Sequence, residues 1–288
     1  MSDLQYVHVD VFSSTPYGGN SLPIFLNAGG LGSDQMLRIT KELRQFEAIF
    51  LEKADGPNAV RARIFDLFEE VPFAGHPIIG AAAALHDSTH SAEAQTWRFA
   101  LRNKTVSITT EATASGYFGL LDQGPARFLG NVDDHTAFAH AFDLELDDLH
   151  PDLPLEVVDT GLSYLIVPVK RDVLPRACVR GDITDLLRAV NAQFAVLFDE
   201  SAMELRHWNN DGVIEDTATG SAAGTIGAYC LRHTLARNGE TFVLNQGRFT
   251  GRPSTMYVRP HGTRDDVSGV SVGGDVALVG RGVIEARP

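Results

Sequence analysis

Two segments of this 288-residue chain share one layout. The first is Glu70-Val-Pro-Phe-Ala-Gly75-His76-Pro77, followed by Ile-Ile-Gly80 and four alanines. The second is Glu215-Asp216-Thr-Ala-Thr-Gly220-Ser221-Ala-Ala-Gly224, followed by Thr-Ile-Gly-Ala. Each has a Glu, a Gly five residues later, an imidazole or hydroxyl side chain, then a run of small residues. Such a run predicts a tight turn feeding a helix that packs closely on its neighbours. A helix start leaves N–H groups without intrahelical partners and carries partial positive charge, so it favours an anion. Two such starts, one per half, predict a cleft in which both hold one anionic substrate.

The repetition extends further. Gln45-Phe46-Glu47-Ala48-Ile49-Phe50 has a counterpart in Gln193-Phe194-Ala195-Val196-Leu197-Phe198. Read without gaps, Glu47 of the first copy is matched by Ala195 of the second. Both stretches follow helix-like segments, 37–43 and 183–190, and 19–26 loosely resembles 161–168. The order is the same in both halves, so the chain reads as two copies of one unit of roughly 130 to 150 residues each. The first copy is expected over residues 1–118 with a returning strand at about 276–288, and the second over 119–275.

Strand alternation puts Phe46, Ala48 and Phe50 on one face and Glu47 on the other with Ile49 and Leu51. A carboxylate on an apolar face is costly to ionise when buried, and such groups mark functional sites more often than chance. A strand-edge Glu reaching solvent is the plainer alternative.

Hydrophobic residues make up 44% of the chain, enough for a sizeable core. With 24 basic against 37 acidic residues, the net charge of −13 argues against nucleic acid and against anionic membranes as partners. Any anion site must then be local, built from helix ends. Cys178 and Cys230 allow no disulfide framework or metal spacing, and they fit a reducing cytoplasm. The sequence begins Met-Ser-Asp-Leu-Gln-Tyr, without a signal-like region, and no apolar run reaches transmembrane length.

Ser33 is expected to cap a helix to Leu43, and further helices are expected over His76–His86 and Ser221–His233. Most of the remaining segments read as short strands, among them 267–272 and 275–282. The acidic stretch 143–152 reads as a solvated helix or loop, because His150 within it has no ordered ligand spacing around it. Gly29-Gly30-Leu31-Gly32 lacks the strand-to-helix setting of a dinucleotide fingerprint.

Glu47, His76, Asp216 and Ser221, with Asn20 beside two glycines, offer carboxylates, an imidazole and a hydroxyl around an anion cradle. That is equipment for general acid–base catalysis. Each also has a plain reading: Ser221 as a cap, Asp216 as a turn residue, His76 as a hydrogen-bonded structural residue. No Gly-x-Ser-x-Gly elbow points to a hydrolase.

Val9-Asp10-Val11-Phe12, Gly19-Asn20, Glu47-x-x-Phe50, the His76 and Ser221 motifs and Gln246-Gly-x-x-x-Gly-Arg-Pro-Ser254 occur in an order that resembles the phenazine-biosynthesis isomerase (PhzF) family. The resemblance runs from about residue 6 to the C-terminus. It implies an α+β fold similar to diaminopimelate epimerase: two similar domains from internal duplication, each a β-barrel-like sheet around a central helix. The active site would lie in the cleft between them. It implies a cofactor-independent isomerase and a homodimer. Glu47 would be the acid/base shuttle, assisted by His76 and Asp216. Ser221, Asn20 and the backbone of Gly75 and Gly220 would bind a small carboxylate substrate, with no metal. The implied substrate is trans-2,3-dihydro-3-hydroxyanthranilate. The alternatives are an amino-acid epimerase-like enzyme and a non-catalytic small-molecule binding protein. Against the former, the cysteines found at both helix starts of such epimerases are here His76 and Ser221. Phe46, Asp66-Leu67 and Arg206-His-Trp-Asn-Asn-Asp-Gly212 depart from the family pattern and put the particular substrate, more than the reaction type, in question.

Overall fold

A computed structural model describes residues 3–285 and 288, so the outermost positions of the expected first copy, 1–2 and 286–287, lie outside the described residues. The chain divides into two compact units, one built from the residues up to 122 and from 273 onward, the other from 123 to 272. Among the described residues no helix is long and apolar enough to cross a membrane.

The first unit contains β1 (Leu4–Val11), β2 (Asn20–Phe25), α1 (Ser33–Leu43), β3 (Glu47–Lys53), β4 (Ala59–Asp66), β5 (Glu70–Val71), α2 (Gly75–Thr89), β6 (Gln95–Ala100), β7 (Thr105–Thr113) and β8 (Gly116–Asp122). β1 and β2 pair antiparallel, β2 runs parallel to β3, β3 and β4 are antiparallel, and β4 runs parallel to β6. Antiparallel β6–β7 and β7–β8 follow. The chain's last strand, Val267–Ile284, pairs with both β1 and β8 and closes the ring of β1, β2, β3, β4, β6, β7, β8 and itself.

α2 fills that ring, and every residue from Gly75 to Ala84 is buried. A helix surrounded by sheet must be apolar all round, and here it must also be narrow. A methyl added at Gly80 would sit 2.7 Å from Leu22 Cδ2 and 2.9 Å from Val11 Cγ2. α1 packs on the other side of the sheet, where Met36 and Ile39 meet Phe25, Ala48, Phe50 and Phe65. Phe25 and Phe50 stack at 4.6 Å. Alternation along β3 therefore gives Ala48 and Phe50 to α1 and leaves Glu47, Ile49 and Leu51 on the α2 face.

The second unit contains β9 (Arg127–Asn131), α3 (His135–Ala141), β10 (Glu156–Asp159), β11 (Ser163–Pro168), α4 (Thr184–Ala189), β12 (Phe194–Asp199), β13 (Glu204–Trp208), β14 (Glu215–Asp216), α5 (Gly220–Arg232), β15 (Phe242–Gln246), β16 (Ser254–Gly262) and the beginning of β17 (Val267–Ile284). β9–β10 and β10–β11 are antiparallel, β11 runs parallel to β12, β12–β13 are antiparallel, and β13 runs parallel to β15. Antiparallel β15–β16 follows, and Val267 and Val270 of β17 accept hydrogen bonds from the backbone of Ala126 and Gln123. The alternation of antiparallel and parallel pairs is that of the first unit. α5 is buried from Gly220 to Leu231.

Each unit also contains one bidentate ion pair in the same place. Arg63 donates from Nε and Nη2 to Glu70 at 2.8 and 2.6 Å, and Arg206 does the same to Glu215 at 2.8 and 2.6 Å. Fork-to-fork pairing of this kind is geometrically demanding. The hydrogen bonds from Arg63 hold the Glu70 carboxyl below the usual carboxylate range. Arg206 lies over the rings of Trp208 and Phe249, 4.3 Å from each. These pairs fix the correspondence between the units. Arg63 stands opposite Phe50 and Arg206 opposite Leu197, so Phe50 corresponds to Leu197, and Glu47 to Phe194. The gapless match of Glu47 with Ala195 is thus off by one residue. A one-residue offset changes face, and Ala195 indeed packs in the outer cluster with Leu197 and Trp208.

Other boundaries differ from expectation. Gly32, not Ser33, is the N-cap of α1. Gln35 Oε1 accepts from Gly32 N at 2.9 Å, while the Ser33 hydroxyl accepts from Arg63 Nη2 at 2.6 Å. α2 and α5 start at Gly75 and Gly220, and α2 runs on to Thr89. The two expected C-terminal strands are one continuous strand. Within 143–152 the carboxylates of Asp143 and Asp148 pair with Arg180 and Arg176, so part of that stretch is tied down by ion pairs.

The packing of α2 generates a stability test. Gly80→Ala adds a methyl against three fully buried side chains, an overpacking cost of about 1–3 kcal/mol that outweighs a helix-propensity gain of up to about 1 kcal/mol. The urea midpoint should fall. Gly29→Ala, where a methyl meets nothing within 4 Å, should leave it nearly unchanged. Equal midpoints for both variants would refute close packing of the strands on α2.

Candidate active site

In the first unit Glu47 and His76 come together. Glu47 opens β3 on its inner face and is 8% exposed, while His76, the second residue of α2, is 4% exposed. His76 Nδ1 lies 3.2 Å from Glu47 Oε2. The β3 alternation and the entry of α2 into the ring bring this about: one turns the carboxylate inward, the other carries the imidazole to it. No side chain caps the start of α2 at Ala74. Pro77 in the first turn has no N–H to leave unbonded. The carboxylate therefore lies beside a helix start, where the dipole favours negative charge.

Asn20 begins β2, the strand parallel to β3, and is buried. Gly19 precedes it at φ 62°, a left-handed conformation in which a Cβ would collide with the Val11 carbonyl oxygen. Asp66 stands opposite Glu47 in the β3–β4 ladder, but its carboxylate accepts from Phe68 N and Glu69 N, each at 2.6 Å. It tightens the hairpin turn.

In the second unit Asp216, Gly220 and Ser221 gather at the start of α5. Asp216 Oδ2 accepts from Thr219 Oγ1 at 2.5 Å. Gln246 Oε1 accepts from Thr219 N at 2.8 Å, and Gln246 Nε2 donates to Asp216 O at 2.8 Å. Gln123 Nε2 donates to Gly220 O at 2.7 Å. Ser221 Oγ lies 2.8 Å from Tyr164 Oη. The Tyr164 ring packs against Phe194 and against His207, with centroids 5.4 and 5.6 Å away. His207 Nδ1 lies 2.9 Å from Ala195 O. A carbonyl only accepts, so Nδ1 carries the proton. Burial pushes the His207 pKa down, and the ring is neutral.

Gln123, Tyr164, His207 and Gln246 escape a reading that searches for acid–base pairs. Gln246 gave a signal as the first residue of the Gln-Gly-x-x-x-Gly-Arg-Pro-Ser motif, and His207 only as part of a segment that departs from the family pattern. Gln123 and Tyr164 lie far along the chain from Ser221 and meet α5 only through the tertiary fold, and His207 meets Tyr164. Cys230 is fully buried deep in α5, and burial pushes its thiol pKa up, so it offers no thiolate. Among the described residues no cluster of three or more His, Cys, Asp or Glu could hold a metal ion.

The chain matches the family model described as phenazine biosynthesis-like protein over residues 9–282. It is 30% identical to a trans-2,3-dihydro-3-hydroxyanthranilate isomerase of Pseudomonas chlororaphis, covering 97% of this chain and 98% of that one. It is 31% identical to an uncharacterized isomerase, YddE, of Escherichia coli O157:H7, over 88% and 89% of the two chains. A solved structure described as a predicted epimerase from Pseudomonas aeruginosa superposes with a TM-score of 0.93 at 43% identity, over 98% of this chain and 99% of that one. A match across nearly the whole chain, on a mixed α+β fold with a closed barrel around a helix, places the protein in the phenazine biosynthesis-like (PhzC-PhzF) family, and it is an isomerase.

Proposed function

We propose that the protein moves a proton within a small carboxylate-bearing molecule, without a cofactor, and that Glu47 is the single acid/base. The observation that carries this is the buried contact between Glu47 and His76 at 3.2 Å. With the proton on Nδ1, His76 donates to Oε2 and favours the ionised carboxylate, the form that can accept a proton from carbon. When Glu47 takes the proton on Oε1, Oε2 still accepts from His76. The same contact thus supports both states, as a group that must return what it takes requires.

Trans-2,3-dihydro-3-hydroxyanthranilate, on which the Pseudomonas chlororaphis relative acts, is the substrate we propose. Glu47 would remove the proton from C3, the charge would spread over the diene and carboxylate, and the proton would return at C1. The resulting enol then becomes a ketone. Burial of Glu47 and His76 limits exchange of that proton with water. Asp216 is proposed as an assisting residue. Asn20, Ser221 and the backbone of Gly75 and Gly220 are proposed to bind the substrate, the roles that the family resemblance gives them. The reading also takes the protein as a cytoplasmic homodimer; light scattering in solution tests the assembly.

Epimerisation is disfavoured because it needs a second acid/base. Phe194 occupies the position corresponding to Glu47, and Ser221 that of His76. Neither is a proton acceptor of useful strength near neutral pH.

Glu47→Gln should lower turnover of trans-2,3-dihydro-3-hydroxyanthranilate by about 10²–10⁴-fold, the usual weight of general acid–base catalysis. Binding of a carboxylate analogue should change little. NMR in deuterated water reads both the rate and label entering at C1. Near-native turnover in this variant would make Glu47 a structural strand residue.

His76→Ala should reduce turnover and also weaken analogue binding, because the imidazole lies in the first turn of α2 as well as beside the carboxylate. Steady-state kinetics and calorimetry separate the two effects. A variant with unchanged kcat would remove His76 from the chemistry.

A further inference from the structure

The inner faces of the two units carry different chemistry at corresponding positions. From the Arg–Glu register, Ile64 of the first unit corresponds to His207 of the second, and Val71 to Asp216. From β2–β3 and β11–β12, Leu22 corresponds to Tyr164. At these positions the first unit therefore has Leu22, Ile64 and Val71. The second has Tyr164, His207 and Asp216 in those positions, with Phe194 in place of the carboxylate.

His207 is the least expected of these. It is 5% exposed in the middle of β13. Nδ1 donates to Ala195 O, so Nε2 at the far end of the ring has a lone pair. Nε2 makes no hydrogen bond among the described residues. Nε2 is not one of the fully buried side-chain atoms that lack a partner, so this end of the ring is open to a small molecule, where the first unit has Ile64 and no acceptor. Tyr164 ties this ring to the start of α5: its ring lies against His207 and its hydroxyl bonds the Ser221 hydroxyl. Asp216 faces His207 across the β13–β14 ladder but is engaged by Thr219 Oγ1.

We propose that His207 is a specificity-determining residue, whose Nε2 accepts a hydrogen bond from an N–H or O–H group of the substrate. The inference rests on the proposed carboxylate substrate class and sharpens it. The molecule carries a donor such as an amino or hydroxyl group as well as its carboxylate, and the second unit reads that donor. An acceptor that the bound substrate covers discriminates against an analogue lacking the donor, because the acceptor is then covered but unpaired.

The test compares two probes, 3-hydroxyanthranilate, which has carboxylate, amino and hydroxyl groups, and benzoate, which has the carboxylate alone. Dissociation constants are measured by calorimetry for the unsubstituted protein, His207→Phe and His207→Gln, with circular dichroism as a check on folding. The unsubstituted protein should prefer 3-hydroxyanthranilate by about tenfold, the weight of one buried hydrogen bond. His207→Phe should abolish the preference and leave benzoate binding unchanged. His207→Gln, which keeps an acceptor, should retain part of it. A preference that survives in His207→Phe, or an equal loss for both probes in both variants, overturns the role of His207 and leaves the proposed function standing. Failure of both probes to bind the unsubstituted protein overturns the substrate class and this inference together.

Discussion

A helix enclosed by a ring of strands can be no wider than its side chains allow, and this constraint organises each unit. α2 and α5 meet it with glycine and alanine, and two of the glycines that leave no room for a Cβ, Gly80 and Gly227, face valine side chains of the surrounding strands. The same constraint delivers the chemistry. A helix that must begin where the ring opens puts its first turn, with His76 in one unit and Ser221 in the other, against the inward faces of the strands. Burial, the nearby helix dipole and strand alternation then act on the same few residues. The low-complexity look of the sequence after Gly75 and Gly220 is the trace of that enclosure.

The Arg63–Glu70 and Arg206–Glu215 pairs hold the hairpins that lead into those helices. Each is only partly exposed, so a bidentate geometry is worth more there than at an open surface. Their value for positioning is larger than their energy. They fix the offset between the hairpin strands and the helix start, and hence which residue of β3 or β12 faces inward. Glu47 reaches His76 because this register holds. Its counterpart, Phe194, joins an aromatic cluster with Tyr164 and His207 in place of a second carboxylate.

Much of this was legible in the sequence because it depends on local pattern. The repeated Glu-to-Gly spacing, the small-residue helices and the inward face of Glu47 all follow from turn chemistry and from strand periodicity. What escaped depends on register between distant strands. The gapless match of Glu47 with Ala195 failed because sequence similarity at Phe50 and Phe198 outweighed a one-residue offset that only the ladder pairing reveals. Tyr164 and His207 escaped for the same reason: 57 residues separate Tyr164 from the Ser221 that it bonds. The Ser33 cap was missed through competition. Arg63 claims that hydroxyl, and Gln35 caps the helix start from the other direction.

The difference between the units bears on how one carboxylate could both take and return a proton. A symmetric pair of bases would suit inversion at a carbon, with removal from one face and delivery from the other. Here the position corresponding to Glu47 is aromatic, Tyr164 and His207 pack against it, and the carboxylate opposite His207, Asp216, is engaged by the Thr219 hydroxyl. His207 in particular is held neutral by burial. A neutral imidazole can orient a polar molecule without competing for its proton. The two units thus differ at these inward-facing positions while the alternation of strand pairings, the buried helix and the Arg–Glu pair are common to both, a difference that suits the proposed division between proton transfer and recognition.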